Sequence, residues 1–383
     1  MQANKIMSIY VDVTECFDVH SENCGVNMIL FGGRAQSEYF TGKIMAGGVD
    51  TQVQKKGQAR TLSARYMLEG TDFSGKACRI FIENNATEKD GVMITKPQIV
   101  TDSKVLSWLE DAQLEGHIAE ENDQLRIDIF EKKQEFERTV HSFCVDGRTI
   151  YGEICRPLGA EEKVPLVIAS HGYNGCCEYM RHSMELLATR GVASYAYDFC
   201  GGGSQTKSSG ETTQMSICTE QRDLRDVMEE VSRFSWVDKK RIYLYGESQG
   251  GFVAGLTAPE FQEQVRGLFL VFPAFCIPDD WGARKANNTQ DLIECMGMTI
   301  GKAYVDGVPD YDVFAHAAKY EGPVQIFHGD ADTLVRLPYS EKLQKNYNNA
   351  ELTVYPEQGH GFEDRYVDTM MAKIATLIYG ETK

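Results

Sequence analysis

The segment Gly246-Glu247-Ser248-Gln249-Gly250 sits between two runs of different character. Arg241-Ile242-Tyr243-Leu244-Tyr245 before it is apolar and aromatic, as a buried strand requires. Gly250–Leu256 after it holds the small residues that let a helix pack closely, and Pro259 marks its end. A serine at such a junction is forced onto a tight turn, and the flanking glycines remove Cβ clashes so that its hydroxyl stands free at the strand end. The chemistry open to it is nucleophilic attack. A hydroxyl is a weak nucleophile at neutral pH, so it needs a base, and the base needs a carboxylate to orient it. On turns of this type the partners follow in the order Ser, then Asp or Glu, then His.

Downstream, Pro323–Val335 is an apolar strand breaking into a loop that carries Asp330 and Asp332. Beyond it, Leu352-Thr353-Val354-Tyr355 leads into Gly359-His360-Gly361-Phe362, where glycines on both sides leave an imidazole unobstructed. Chain order and strand-end placement both fit a triad of Ser248, Asp332 and His360. Asp330 is the alternative acid, and whichever aspartate is not used is read as a loop-stabilising acceptor. His171 and His328 also end apolar strands, but neither fits the order and both are read as local hydrogen-bonding residues. A tetrahedral oxyanion needs two donors. The backbone N–H of Gln249, next to Ser248, supplies one. The apolar strand Pro165–Ser170 runs into His171-Gly172-Tyr173-Asn174-Gly175, and the N–H of Tyr173 is assigned as the other.

These residues need a scaffold that gathers strand ends. From about residue 135 onward, strands at 165–170, 192–197, 241–245, 267–272, 323–328 and 351–355 alternate with helical patterns such as Gln221–Arg233. Thr139–Val145 and Thr149–Cys155 read as a hairpin through Asp146-Gly147-Arg148. Continuous apolar strands covered on both faces imply a mostly parallel sheet, with chemistry at the carboxyl ends. The long connection 274–321, with Asp279, Asp280, Trp281, Met296 and Met298, reads as a small cap over Ser248.

Residues 1–134 read differently. Short alternating runs (Asn27–Phe31, Glu38–Lys43, Ala64–Leu68, Ala77–Glu83, Gln124–Phe130) with frequent turn residues argue for an antiparallel β-barrel or sandwich domain. The charged stretch Glu131–Glu135 is the expected boundary, and residues 135–383 form the second domain. A length of 383 residues also favours two domains.

With 39 Lys plus Arg against 56 Asp plus Glu, the net charge of −17 offers no basic footprint for nucleic acid or anionic lipid. No apolar run approaches the roughly 18 residues of a membrane span, and the N-terminus lacks a leader-like apolar stretch, so a cytoplasmic protein is expected. The 11 cysteines have no regular spacing, and Cys176-Cys177 are read as free thiols. No zinc-ligand spacing occurs. No metal or organic cofactor is expected, and homo-oligomerisation is left open.

Taken together, Pro165–Gly175, Tyr197-Asp198-Phe199, Gly246–Gly251, His328–Asp332 and Gly359-His360 resemble α/β-hydrolases, and bacterial cinnamoyl (feruloyl) esterases in particular, over roughly residues 136–380. The resemblance implies an eight-stranded, mostly parallel sheet with a cap. It also implies Ser248 as nucleophile, Asp332 as acid, His360 as base, and Tyr173 and Gln249 as oxyanion donors. Asp280 would correspond to a carboxylate near a substrate ring hydroxyl, with Trp281 beside it. Glu247 departs from the family's usual histidine. The first 130 residues resemble a family of small bacterial β-barrels through Phe40-Thr41-Gly42, Gly47–Gln52 and Ala64-Arg65-Tyr66. There Asp50, Gln52 and Arg65 are read as holding the barrel's turns together, with a polar pocket as the alternative. The expected activity is hydrolysis of a small or aromatic ester, hydroxycinnamoyl esters among them. The competing readings are a serine peptidase of prolyl-oligopeptidase type and a ligand-binding barrel with an accessory hydrolase.

Overall fold

The computed structural model describes residues 3–89, 92–121, 124–159, 163–287 and 290–380. Two compact units divide the chain, Met1–Lys133 and Gln134–Lys383.

In the first unit, nine strands run antiparallel: β1 (Ala3–His20), β2 (Cys24–Gln36), β3 (Phe40–Ile44), β4 (Gly48–Lys55), β5 (Thr61–Asp72), β6 (Ala77–Thr87), β7 (Ile94–Thr101), β8 (Leu114–Glu121) and β9 (Gln124–Lys132). β3 and β4 share one place. Both pair with β2 on one side and β5 on the other, at successive registers. β1 pairs with both β2 and β9, so the meander closes into a barrel of eight positions, with β7 and β8 joined over the short register Ile94–His117 and Thr95–Gly116. Inward positions alternate along the strands, as at Leu62, Ala64, Tyr66 and Leu68 on β5. Trp108, packed edge-on to Tyr39 at 6.3 Å, fills one end together with Leu106 and Leu109. Pairing shifts between Lys5 and Met7 and between Val13 and Glu15 are bulges that change the phase of β1.

The second unit holds an eight-stranded sheet in the order β10-β11-β13-β12-β14-β15-β18-β19. β10 (Phe136–Val145) and β11 (Arg148–Pro157) form the antiparallel hairpin, turning through Asp146 and Gly147 at positive φ. β12 (Val164–Ser170), β13 (Ala193–Tyr197), β14 (Val237–Glu247), β15 (Val265–Val271), β18 (Val324–Gly329) and β19 (Ala350–Tyr355) pair in parallel. Every residue of β12 and β13 is buried, so both faces of the sheet are covered.

Among the helices, α1 (Arg181–Ala188) packs on α8 (Asp364–Gly380). α2 (Ile217–Val231) packs on α3 (Gln249–Thr257). α2 starts earlier than its charge pattern suggests, because Ser216 caps it by accepting the Thr219 N–H at 3.2 Å. Between β15 and β18 the chain builds α4 (Ile277–Asn287), the hairpin β16 (Leu292–Cys295) and β17 (Met298–Gly301), α5 (Lys302–Asp306) and α6 (Val313–Ala317). α7 (Pro338–Asn346) follows β18. No helix among the described residues is long and apolar enough to cross a membrane.

Candidate active site

β12 is flanked by β13 on one side and β14 on the other, so the connections leaving β12 and β14 diverge and open a crevice at their carboxyl ends. Ser170 stands opposite Gly246 in the pairing register. The loop after β12 and the turn after β14 are therefore neighbours.

Ser248 occupies that turn at φ 52° and ψ −117°, a region that costs an L-residue strain. The surroundings hold it there. Its N–H donates to the Val271 carbonyl at 2.9 Å, and its carbonyl accepts from Phe252 at 3.0 Å and Ala274 at 2.9 Å. A Cβ on Gly250 would lie 2.2 Å from the Ser170 carbonyl oxygen, and one on Gly246 would lie 2.4 Å from that of Gly250. Only glycines let α3 start this close to the sheet. Gly172 is a further close approach, since a Cβ there would meet the Ser248 Cβ at 3.2 Å.

His360 comes from the loop after β19. Its Nε2 lies 2.9 Å from Ser248 Oγ and its Nδ1 2.8 Å from Asp332 Oδ2. With Nδ1 protonated, the ring donates to the carboxylate and its Nε2 is free to accept the hydroxyl proton. Asp332 Oδ1 accepts the N–H groups of Leu334 and Val335, both at 2.9 Å. Burial acts to raise the Asp332 pKa. Hydrogen bonds from His328 and His360, the charge of His360 and the Val335 amide outweigh it and hold the carboxyl well below the usual range. Asp330 lies apart, accepting the Glu357 N–H at 2.7 Å.

The other strand-end histidines serve locally. His171 accepts the Phe199 N–H at 3.1 Å, and its Nδ1 lies 2.7 Å from the Gly172 carbonyl. His328 bridges Ser340 Oγ at 2.7 Å and the Val335 carbonyl at 2.8 Å, and its Nε2 also stands 3.4 Å from Asp332 Oδ2.

Among the described hydrogen bonds, none engages the backbone N–H of Gln249 or of Tyr173. Their side chains, by contrast, are tied down. Gln249 Nε2 donates to both carboxyl oxygens of Glu220 at 2.9 Å, and Tyr304 Oη donates to Gln249 Oε1 at 2.7 Å. Tyr173 Oη donates to the Cys295 carbonyl at 3.0 Å. The cap thus grips the side chains of Gln249, next to Ser248 in the chain, and of Tyr173, next to Gly172. Trp281 packs edge-on to Tyr304 at 5.0 Å, one ring away from Gln249. Asp280 is exposed on α4, and its N–H donates to the Cys276 carbonyl.

Several of these neighbours carry no motif. Glu220 is 1% exposed, and burial pushes its carboxyl well up, more than the Gln249 amide lowers it. It sits on the apolar stripe of α2 with Ile217, Leu224 and Val227, and a charge on such a stripe is a readable anomaly. Glu247 accepts from Tyr245 Oη at 2.5 Å, and burial raises its carboxyl against the opposing effects of that bond and the charge of His360. Phe272, at φ 36°, lies 4.5 Å from the His360 ring at a tilt of 49°.

A family model described as serine aminopeptidase, S33, matches residues 161–311. No curated protein matches the chain at a significant level. The solved structure of Est1E from Butyrivibrio proteoclasticus with ferulic acid bound is 25% identical, with a TM-score of 0.59 over 63% of this chain and 100% of that one. The α/β-hydrolase domain-containing protein 10 from mouse is 16% identical, with a TM-score of 0.52 over 63% of this chain and 99% of that one. The α/β-hydrolase GrgF from Penicillium sp. sh18 is 15% identical, with a TM-score of 0.51 over 64% of this chain and 96% of that one. At those identities the last two report the fold alone.

Proposed function

We propose that this chain, whose C-terminal unit is an α/β-hydrolase, hydrolyses carboxylic esters through an acyl-enzyme on Ser248. The observation that carries the reading is the hydrogen-bonded series Ser248 Oγ, His360, Asp332, with Ser248 on its strained turn. His360 Nε2 takes the Ser248 proton as the oxygen attacks the ester carbonyl, while Asp332 fixes the imidazole tautomer and stabilises its charged form. The N–H groups of Tyr173 and Gln249 receive the oxyanion, each worth about 3 kcal/mol of barrier. His360 then passes its proton to the departing alcohol, and a water repeats the cycle to free the acid. All of these groups belong to the chain itself.

An aromatic acyl group, hydroxycinnamoyl among them, is the substrate class we favour. Similarity to Est1E, solved with ferulic acid, supports it, as do the rings of Phe272, Tyr173, Trp281 and Tyr304 around Ser248 and its neighbours. Asp280 is assigned to the ring hydroxyl, so Asp280→Asn should raise KM for methyl ferulate and leave that for methyl cinnamate unchanged. Equal effects on both esters would remove Asp280 from the site. The serine aminopeptidase description of the matching family model favours a second reading, peptide hydrolysis. Faster cleavage of aminoacyl-nitroanilides than of p-nitrophenyl esters would select it.

The central test is Ser248→Ala. Turnover of p-nitrophenyl butyrate should fall by at least about three orders of magnitude with the melting temperature unchanged. Retained turnover would remove Ser248 as nucleophile.

A further inference from the structure

The N-terminal barrel holds an interior that the hydrolase chemistry does not use. Towards the end opposite Trp108 it holds a cavity of about 460 Å³, open where Val13 and Val92 are exposed and within the roughly 300–1,000 Å³ typical of ligand sites. Most of the wall is apolar, with Val11, Ile29, Phe31, Leu62, Ile118 and Ile127 prominent. One rung of the barrel breaks that pattern. Asp50 pairs with Ala64, and Ala64 with Asn84, so a carboxyl and an amide face the cavity with a methyl group between them. Asp50 and Gln52 on β4 and Arg65 on β5 lie within strands and not at turns, and the first two line the cavity, in keeping with the alternative of a polar pocket. Arg65 instead pairs with Glu83 at 2.9 Å.

Asn84 is 1% exposed, and neither its Nδ2 nor its Oδ1 has a hydrogen-bond partner. Asp50 accepts from Gln52 Nε2 at 2.7 Å through Oδ2, while its Oδ1 has none. Tyr66, the next inward position on β5, is also buried with its hydroxyl unpartnered, edge-on to Phe31 at 5.5 Å. Unpaired buried polar groups oppose folding. Ile80 and Ile82 fill the preceding inward positions of β6, so an apolar residue at 84 would suit a barrel that needed only to fold. The polar rung points to a guest.

We propose that the barrel binds a small apolar molecule with one neutral head that both donates and accepts hydrogen bonds, of the alcohol, phenol or primary amide class. The head lies between Asn84 and Asp50. Its donor faces Asp50 Oδ1 and its acceptor faces Asn84 Nδ2, while the body lies along the apolar wall. A carboxylate head is disfavoured because it would meet Asp50, and the cation among the lining residues, Arg60, is shared between Glu88, at 3.2 Å, and Asp50, whose carboxyl its charge lowers. Burial raises the Asp50 carboxyl against the bonds from Gln52 and the Ser63 backbone and the charge of Arg60, which fits a site that takes a neutral partner.

The test uses the full-length chain carrying Ser248→Ala, titrated by calorimetry and thermal shift with 1-decanol, decanamide and sodium decanoate. Decanol and decanamide should bind and raise the melting temperature, with decanoate weaker by at least about tenfold. Asn84→Leu should weaken decanol by about tenfold, the loss of one hydrogen-bonded head. It should also melt higher than its parent, because an orphaned amide has gone. Ala64→Phe, which fills the rung, should abolish binding of both neutral probes. The proposal is overturned if neither neutral probe binds, as when water alone satisfies Asn84, or if decanoate binds as tightly as decanol. Unchanged binding in Asn84→Leu or Ala64→Phe overturns it too. An Asn84→Leu chain that melts lower or fails to fold would show the amide paired in solution and remove the premise.

Discussion

At the scale of single residues, a position was readable wherever a local constraint forced the choice of side chain. Glycine at 246 and 250 is demanded by contacts near 2 Å from neighbouring carbonyls, and such demands appear in the sequence as a motif. Asp330 and Asp332 could not be separated that way, since both follow the same strand. What distinguishes them is the geometry of the loop, which turns Oδ2 of one to His360 and Oδ1 of the other to the Glu357 amide. The difference is measurable. Asp332→Asn should lower kcat for p-nitrophenyl butyrate by about four orders of magnitude with little change in KM, because the imidazole loses its tautomer. Asp330→Ala should keep kcat and cost the fold at most about 1 kcal/mol for one lost hydrogen bond. The reverse pattern would exchange their assignments.

At the scale of elements, strands buried on both faces and glycine-marked turns were legible, because their apolar runs and breakers are contiguous. β1 was not, since its two bulges shift the alternation and bury Ile6 and Met7 side by side. The link between cap and site was not legible either. It joins Tyr304 on α5, Gln249 on α3 and Glu220 on α2, and sequence separation hides such a network. If the network positions the Gln249 amide, Tyr304→Phe should reduce kcat about tenfold with KM unchanged, while stability changes by about 1 kcal/mol. Unaltered kcat would make the bond purely structural. Glu220 gives a pH signature. Its folded pKa lies above the unfolded value of about 4.3, so the stability tied to its protonated form is complete below that pH. That stability is lost as pH rises towards the folded pKa. Glu220→Gln keeps an acceptor for Gln249 without the ionisation, so its melting temperature should gain on the parent from about pH 4.3 upward. A constant difference from pH 4 to pH 8 would mean that burial does not shift this carboxyl.

At the scale of the whole molecule, the change near residue 133 from period-two alternation to buried strands separated by helices was legible because the two patterns solve different burial problems. A closed barrel hides one face of each strand, and a covered parallel sheet hides both. The polar rung inside the barrel was not legible, since Asp50 and Asn84 look like ordinary surface residues until closure turns them inward. Each unit has its own core, and every residue assigned to ester hydrolysis, with each hydrogen bond that holds it, lies within Gln134–Lys383. Expressed from Gln134 onward, the second unit should therefore fold and turn over p-nitrophenyl butyrate within about twofold of the full chain, since groups that share no partners contribute additively. The fragment should bind no decanol, and the full chain should show two unfolding transitions, of which decanol moves only one. A soluble but inactive fragment would show that the barrel completes the site. An insoluble one would show that the second unit's core depends on the first, and a single transition in the full chain would point the same way.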